Sequence, residues 1–99
     1  MRYDLVVAAD VLVYVQDLMT VAAAVRRVLS PQGLFAFTLE THAGDGVLLQ
    51  ESLRYAHGAA HVRTDMTGAG LRLVSLAEVL TRTERGEPVP GLLGVVSAC

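Results

Sequence analysis

The sequence predicts an α/β fold: half of a doubly wound sheet, finished by an antiparallel hairpin. Three observations predict it. The apolar run Leu5 to Ala9 (LVVAA) ends in an acid, Asp10; a helical repeat and a second β-rich run follow it; and two further β-rich segments close the chain across a stretch of turn-forming residues. A run that is apolar at every position, and not at alternate ones, marks a strand covered on both faces. In open α/β sheets ligands bind at the carboxyl ends of the parallel strands, which makes Asp10 a candidate site residue. A strand of this kind sits in mid-sheet, paired on both sides. Standing at the head of the chain, it makes residues 1–99 read as a single partial domain, the second half of something larger.

The elements follow in order. After a short connection from Val11 to Gln16, Asp17 can cap a helix whose apolar positions Leu18, Val21, Ala22, Val25, Val28 and Leu29 recur at three and four residues. Arg26 and Arg27 suit the negative end of its dipole. Ser30, Pro31, Gln32 and Gly33 form a stop, Pro31 because it cannot continue a helix and Gly33 as a permissive turn position. Leu34 to Glu40 reads as the second strand, and a strand, helix, strand unit makes it parallel to the first in one sheet. Thr41 to Ala56 reads mostly as loop, marked by Gly44 and Gly46. Gly58 to Ala69 reads as a partly exposed helix ended by Gly70. Leu71 to Arg82 and Gly91 to Ala98 read as a hairpin with a long connection, Thr83 to Pro90.

Composition narrows the function classes. At 53% hydrophobic and 18% charged residues, the 99-residue chain should collapse around a core, although a domain of this size buries only about 60 to 65% of its unfolded surface. A net charge of -2 supplies no basic field for a phosphate backbone, which argues against nucleic acid as a partner. All eight basic residues are arginine. No run approaches the ~18 apolar residues of a spanning helix, and the apolar amino-terminal stretch is interrupted by Asp10, so neither a membrane span nor a secretory signal is expected. Cys99 is the only cysteine, which rules out an internal disulfide and a cysteine cage for metal and fits a cytoplasmic setting.

The segments YDLVVAADVLVYV and AAAVRRVLSPQGLFAFTLE, followed by a helix and a closing hairpin, resemble the carboxyl half of class I S-adenosylmethionine-dependent methyltransferases. The first matches that family's fourth strand and exit loop. Arg27 to Phe35 matches its turn into the fifth, and the terminal antiparallel hairpin distinguishes it from dinucleotide-binding domains that end in a parallel strand. The runs LLQESLRYAH and GLRLVSLAEVLTRTERGEPVPGLLGVV are similar to methyltransferase domains that are often fused to tetratricopeptide repeats, although no such repeat occurs here. The resemblance implies a partial Rossmann-like methyltransferase sheet with flanking helices, S-adenosylmethionine as cofactor, and a small-molecule or protein methyl acceptor. It also implies a departure, since the glycine-rich loop and the ribose-binding acid of the family's first two strands have no counterpart. Gly44-Asp45-Gly46 is followed by Leu49, and Gly68-Ala69-Gly70 by Leu73, where a third glycine belongs; both read as turns.

By the same resemblance Asp10 borders the methyl-donor end of the cofactor, and the exit residues reach substrate; an acid that merely caps strand-end amides is the plain alternative. Tyr14 is a possible contact. Glu40 and His42 lie at the exit of the next strand, where His42 can act as a base or be a solvated loop histidine. Arg54, Tyr55 and His57 fall in the region the resemblance places over the substrate side. His57 and His61 stand four apart like zinc ligands, but Gly58 stands where a zinc-protease helix has its glutamate and no third ligand is evident, so no metal site is expected. The expected function is the carboxyl-terminal portion of a methyltransferase, giving the substrate side and part of the cofactor wall and inactive alone. The alternative is a non-enzymatic half-domain that associates with itself or a partner through the open strand Leu5 to Ala9, which carries no charge or proline to discourage pairing.

Overall fold

The first strand, β1 (Tyr3–Ala8), leads through a single 3₁₀ turn (Leu12–Tyr14) into helix α1 (Leu18–Val28) and then into β2 (Leu29–Glu40). The structure is a computed structural model that describes residues 2–9 and 11–98, and of Thr81, Arg82 and Glu84 the backbone alone. Asp10 lies outside the described residues. Helix α1 starts where the sequence places its cap. Asp17 Oδ2 accepts from the Thr20 hydroxyl at 2.7 Å and Oδ1 from the Thr20 amide at 3.3 Å, satisfying a donor that the first helical turn leaves unpaired. The hydroxyl bond first, and the amide bond second, hold the Asp17 carboxyl below its ordinary value. A carboxylate whose folded value is depressed stabilises the native state above the unfolded value near 3.8, and the contribution is lost as the pH falls through the folded value. Replacing Asp17 with alanine is therefore expected to lower the thermal midpoint at neutral pH and to leave it unchanged in acid, which melting curves at both pH values would test.

Strands β1 and β2 are parallel, with Leu5 opposite Leu34 and Ala8 opposite Phe37. The expected stop is folded into β2 itself. Extended pairing begins at Leu29, opposite Tyr3, and the register then shifts before Leu5 meets Leu34. The residue that takes the left-handed conformation is Gln32, at φ 63°, and not Gly33.

The stretch read as loop holds a small antiparallel pair, β3 (Val47–Leu49) and β4 (Tyr55–His57), joined by a turn in which the Leu53 amide donates to the Gln50 carbonyl at 2.9 Å. Strands this short carry too few alternating positions to be read by period. Helix α2 (Ala59–Gly68) follows, with Gly70 beyond its end at φ 83°, as a helix stop requires.

Strands β5 (Leu71–Glu84) and β6 (Glu87–Ala98) form the closing hairpin, but its connection is two residues long. Arg85 and Gly86 both have positive φ, 51° and 79°, the geometry whose twist matches paired strands, so TERGEPVP continues the ladder instead of looping out of it. Pro88 and Pro90 are tolerated because β6 pairs with β2 only from Gly91 onward, and on that edge Pro90 has only to accept, its carbonyl taking the Thr41 amide at 3.1 Å.

The sheet runs β3-β4-β2-β6-β5, with β1 beside β2. Since β6 occupies one edge of β2 from Leu34 to Glu40, β1 and β4 share the other, β4 meeting it at Glu40 alone. Phe35, Phe37 and Leu39 of β2 and Leu92 and Val96 of β6 point to one face, where they bury Leu18 and Ala22 of α1 and Val62 and Met66 of α2 in one core. Gly94 sits opposite Phe37 on that face, and a Cβ there would lie 2.3 Å from the ring. Both described helices therefore cover the same side. The expectation that β1 is buried on both faces is overturned: Val6 and Ala8 pack against the core, while Leu5 and Val7 are 58% and 62% exposed. An apolar run records that neither face is polar, not that each face has a layer over it.

Candidate functional site

Two parallel strands end together, and the loops leaving them converge on the carboxyl edge of the sheet. The 3₁₀ turn after β1 is anchored by Leu12 and Val13, both buried, which leaves Tyr14 between them and solvent with 62% of its surface exposed. At the end of β2, Glu40 is fully buried. Its carboxylate forms an ion pair with Arg54, which stands just before β4, and accepts from Gln50 Nε2 at 3.0 Å. Gln50 also donates to the Arg54 carbonyl at 3.1 Å, closing the turn between β3 and β4 on itself.

Two contacts of Arg54 tie the strand end to the loop after β1. Its Nε faces Glu40, and one terminal nitrogen donates to the Tyr14 hydroxyl at 2.9 Å, with the guanidinium 5.2 Å from the centre of the tyrosine ring. A flat, always-charged fork can serve a carboxylate and an aromatic ring at once, as an ammonium cannot. Three of the residues singled out by sequence, Tyr14, Glu40 and Arg54, are thus brought into one chain of contacts. Gln50 belongs to it without any sequence signal, because it lies in a stretch with no readable period.

The histidines are differently placed. His42 Nδ1 accepts from the Gly44 amide at 3.1 Å, and Nε2 lies 3.0 Å from the Gly46 carbonyl, so both ring nitrogens are engaged in shaping their own loop. His57 is fully buried, its Nε2 2.9 Å from the Val15 carbonyl and its Nδ1 without a partner. Desolvation is the main cause that holds its imidazole below the ordinary histidine value; the hydrogen bond to Val15 opposes this. His61, the other member of the pair spaced like zinc ligands, binds Asp65 at 3.1 Å, and the two imidazole centres lie 6.5 Å apart. Tyr55 is half-buried in β4, opposite Leu49.

Among the described residues a hollow of about 220 Å³, lined by Thr41, His42, Ala43, Glu78 and Pro90, lies at the end of β2, and two more adjoin this edge. One, of about 270 Å³, lies between the β3–β4 turn and the hairpin tip, lined by Glu51, Ser52, Arg85 and Glu87. The other, of about 120 Å³, lies at the end of β1, and its lining of Val7, Ala8, Ala9, Ala36, Phe37, Thr38 and Leu93 exposes no polar surface. Ligand pockets for molecules of cofactor size run from about 300 to 1,000 Å³ and place a few polar groups among apolar ones. The hollow at the end of β1 is a wall and not, among the described residues, a complete pocket.

Residues 2–37 match the methyltransferase-domain family. No curated protein matches the chain by sequence. Its fold is that of S-adenosylmethionine-dependent methyltransferases of known structure. A methyltransferase from Methanosarcina mazei is similar with a TM-score of 0.74 at 14% identity, covering 97% of this chain and 59% of that one. The N-methyltransferase NodS from Bradyrhizobium japonicum, in complex with S-adenosylhomocysteine, is similar with a TM-score of 0.66 at 24% identity, covering 98% and 46%. The [4+2]-cyclase SpnF is equally similar in fold, with a TM-score of 0.74 at 13% identity, covering 98% and 50%. The chain thus spans about half the length of the structures it matches.

Proposed function

We propose, from a fold shared with S-adenosylmethionine-dependent methyltransferases, that this chain forms the carboxyl-terminal, acceptor-side portion of such an enzyme, walls part of the cofactor site and transfers no methyl group alone. The observation that carries this reading is the uncovered apolar sheet face at the end of β1. The hollow there offers one apolar wall, and among the described residues its lining exposes no polar surface to the ribose and adenine of S-adenosylmethionine. The described residues do not fit the whole cofactor, so no chemical step is assigned to it.

Methyl transfer makes small demands on side-chain chemistry, because much of the rate comes from holding donor and acceptor in line. Tyr14, Arg54 and Glu40 form the acceptor side, with His42, Tyr55 and His57 as its surroundings, and the acceptor is a small molecule or a protein. No described helix is long and apolar enough to cross a membrane, and the setting proposed is cytoplasmic. Isothermal titration of the purified chain with S-adenosylmethionine is expected to show no micromolar binding. Binding at that affinity would overturn the claim that the site is incomplete.

A second reading has its own support. The outward face of β1 is apolar and exposed at Leu5 and Val7, and its far edge has no partner strand among the described residues. Free edges of this kind template association, with a second copy or another chain. Light scattering is expected to give a mass above the monomer's as concentration rises; a monomer throughout would count against association with itself.

A further inference from the structure

The loop that leaves β1 has little to hold itself in place. Its backbone bonds run from the Val15 amide to the Leu12 carbonyl at 3.0 Å and from Tyr14 to Val11 at 3.3 Å, and a single 3₁₀ turn with bonds of this quality is weakly self-sustaining. Two consecutive residues of this loop are nevertheless gripped from β4 and the residue that leads into it. Arg54, just before β4, reaches the Tyr14 hydroxyl at 2.9 Å, and His57, at its end, reaches the Val15 carbonyl at 2.9 Å.

The strand that does the gripping is itself tied down by side chains. β4 meets β2 at one residue pair, Glu40 and Ala56. Glu40, fully buried, binds Arg54, and the Thr41 hydroxyl donates to the His57 carbonyl at 2.7 Å. A buried ion pair seldom stabilises a fold better than apolar residues of the same volume, so its place here calls for another explanation. Holding an exposed aromatic residue at the edge where parallel strands end supplies one.

We propose that β4 is a clamp on the β1 exit loop: Arg54 and His57 are positioning residues that fix Tyr14 and Val15, and Glu40 is the buried counter-charge that fixes Arg54. The inference deepens the acceptor-side reading above and rests on it for the meaning of the loop. Because the Tyr14 oxygen accepts from Arg54, its own O–H is left to donate elsewhere, which suits a ligand that presents a carbonyl or carboxylate.

The clamp has a pH-sensitive half. A bond from Nε2 to a carbonyl requires that nitrogen to carry the proton, leaving Nδ1 bare and buried. Protonation would place a second N–H where no acceptor waits. The groups facing His57 are His61 and Asp65 of α2 and His42 of the β2–β3 loop; the two histidines oppose its protonation and Asp65 favours it, but burial outweighs all three. His57 therefore supports the loop fully above its ordinary value near 6.5, and support is lost as the pH falls from there through the depressed folded value.

Nuclear magnetic resonance on the chain with labelled tyrosine rings tests this without any ligand, so its result is separate from cofactor binding. The Tyr14 signals, assigned through Tyr14→Phe, are expected to move toward unstructured positions in Arg54→Ala and to be partly restored in Arg54→Lys. Tyr14→Phe touches only an exposed hydroxyl and keeps the fold whatever Arg54→Ala does. It should speed amide exchange at Val15 by about three- to tenfold, as the loss of one hydrogen bond predicts. In the unmodified chain the Tyr14 signals should shift as the pH falls below the ordinary histidine value of 6.5, in step with the His57 ring, and His57→Gln, whose amide can still donate, should abolish that shift. Tyr14 signals identical in the parent and Arg54→Ala, unchanged exchange in Tyr14→Phe, or a pH shift that survives in His57→Gln would each overturn the clamp.

Discussion

Replacing Phe37 with alanine is expected to cost about 3 to 5 kcal/mol of stability, the range for emptying a fully buried aromatic site. Phe37 is 1% exposed, lies at the centre of β2, and packs against Phe35 with ring centres 5.0 Å apart. A chain of this length is stable by only about 5 to 15 kcal/mol in total, so the variant should unfold at far lower urea concentration or fail to fold near body temperature. Gly94 makes the argument specific, because the ring fills the space a side chain would take there, with the nearest ring atom 2.3 Å from the position of a Cβ. Alone, Gly94→Ala should cost about 1 to 3 kcal/mol through overpacking. Combined with Phe37→Ala it should cost much less, since its methyl then enters the vacated volume. Urea unfolding of the single and double variants measures the coupling, and additive losses would refute it.

Glu40→Ala is the second change expected to be severe, at about 3 to 5 kcal/mol, the usual loss when one member of a buried ion pair is removed. The cost comes less from the lost attraction than from what remains. The Arg54 side chain is 13% exposed and its Nε would face an apolar gap, while Gln50 would keep the Arg54 carbonyl but lose the carboxylate. Replacing both members, Glu40→Leu with Arg54→Met, should recover most of the stability while still releasing Tyr14. That divergence between stability and loop order, read by urea unfolding and by the Tyr14 ring signals together, separates a positioning pair from a structural one. If the double variant were as unstable as Glu40→Ala, the pair would be stabilising in its own right.

Periodic elements were legible in the sequence. The cap at Asp17, the three-and-four repeat from Leu18 to Leu29 and the apolar run of β1 are local patterns, and each became the element it predicts, save that Leu29 opens β2 instead of closing the helix. So did the residues of the closing hairpin, although its turn did not: Arg85-Gly86 is indistinguishable by composition from the longer run TERGEPVP until the ladder on either side shows which two residues turn. The β3–β4 pair was hidden for the opposite reason. Strands of three residues have almost no period, and they exist because β2 offers an edge beyond the end of β1.

Of the candidate site, residue types and rough positions were visible, but partnership was not. Tyr14, Glu40 and Arg54 are far apart in the chain, and only the meeting of two strand ends with the β3–β4 turn makes them one group. His42 and His57 look alike as loop-borne histidines. Folding engages both nitrogens of the first in its own turn and buries the second against the Val15 carbonyl.

What the sequence determined by itself is therefore the α/β class, the order of the main elements and which candidate residues stand at the ends of the parallel strands, because helix caps, periodicity and strand polarity are properties of neighbouring residues. The tertiary structure alone decided which face of β1 is covered, which side chain each charge meets and which residues turn the hairpin. Those depend on contacts between residues distant in the chain, and their energies exist only once the strands are paired.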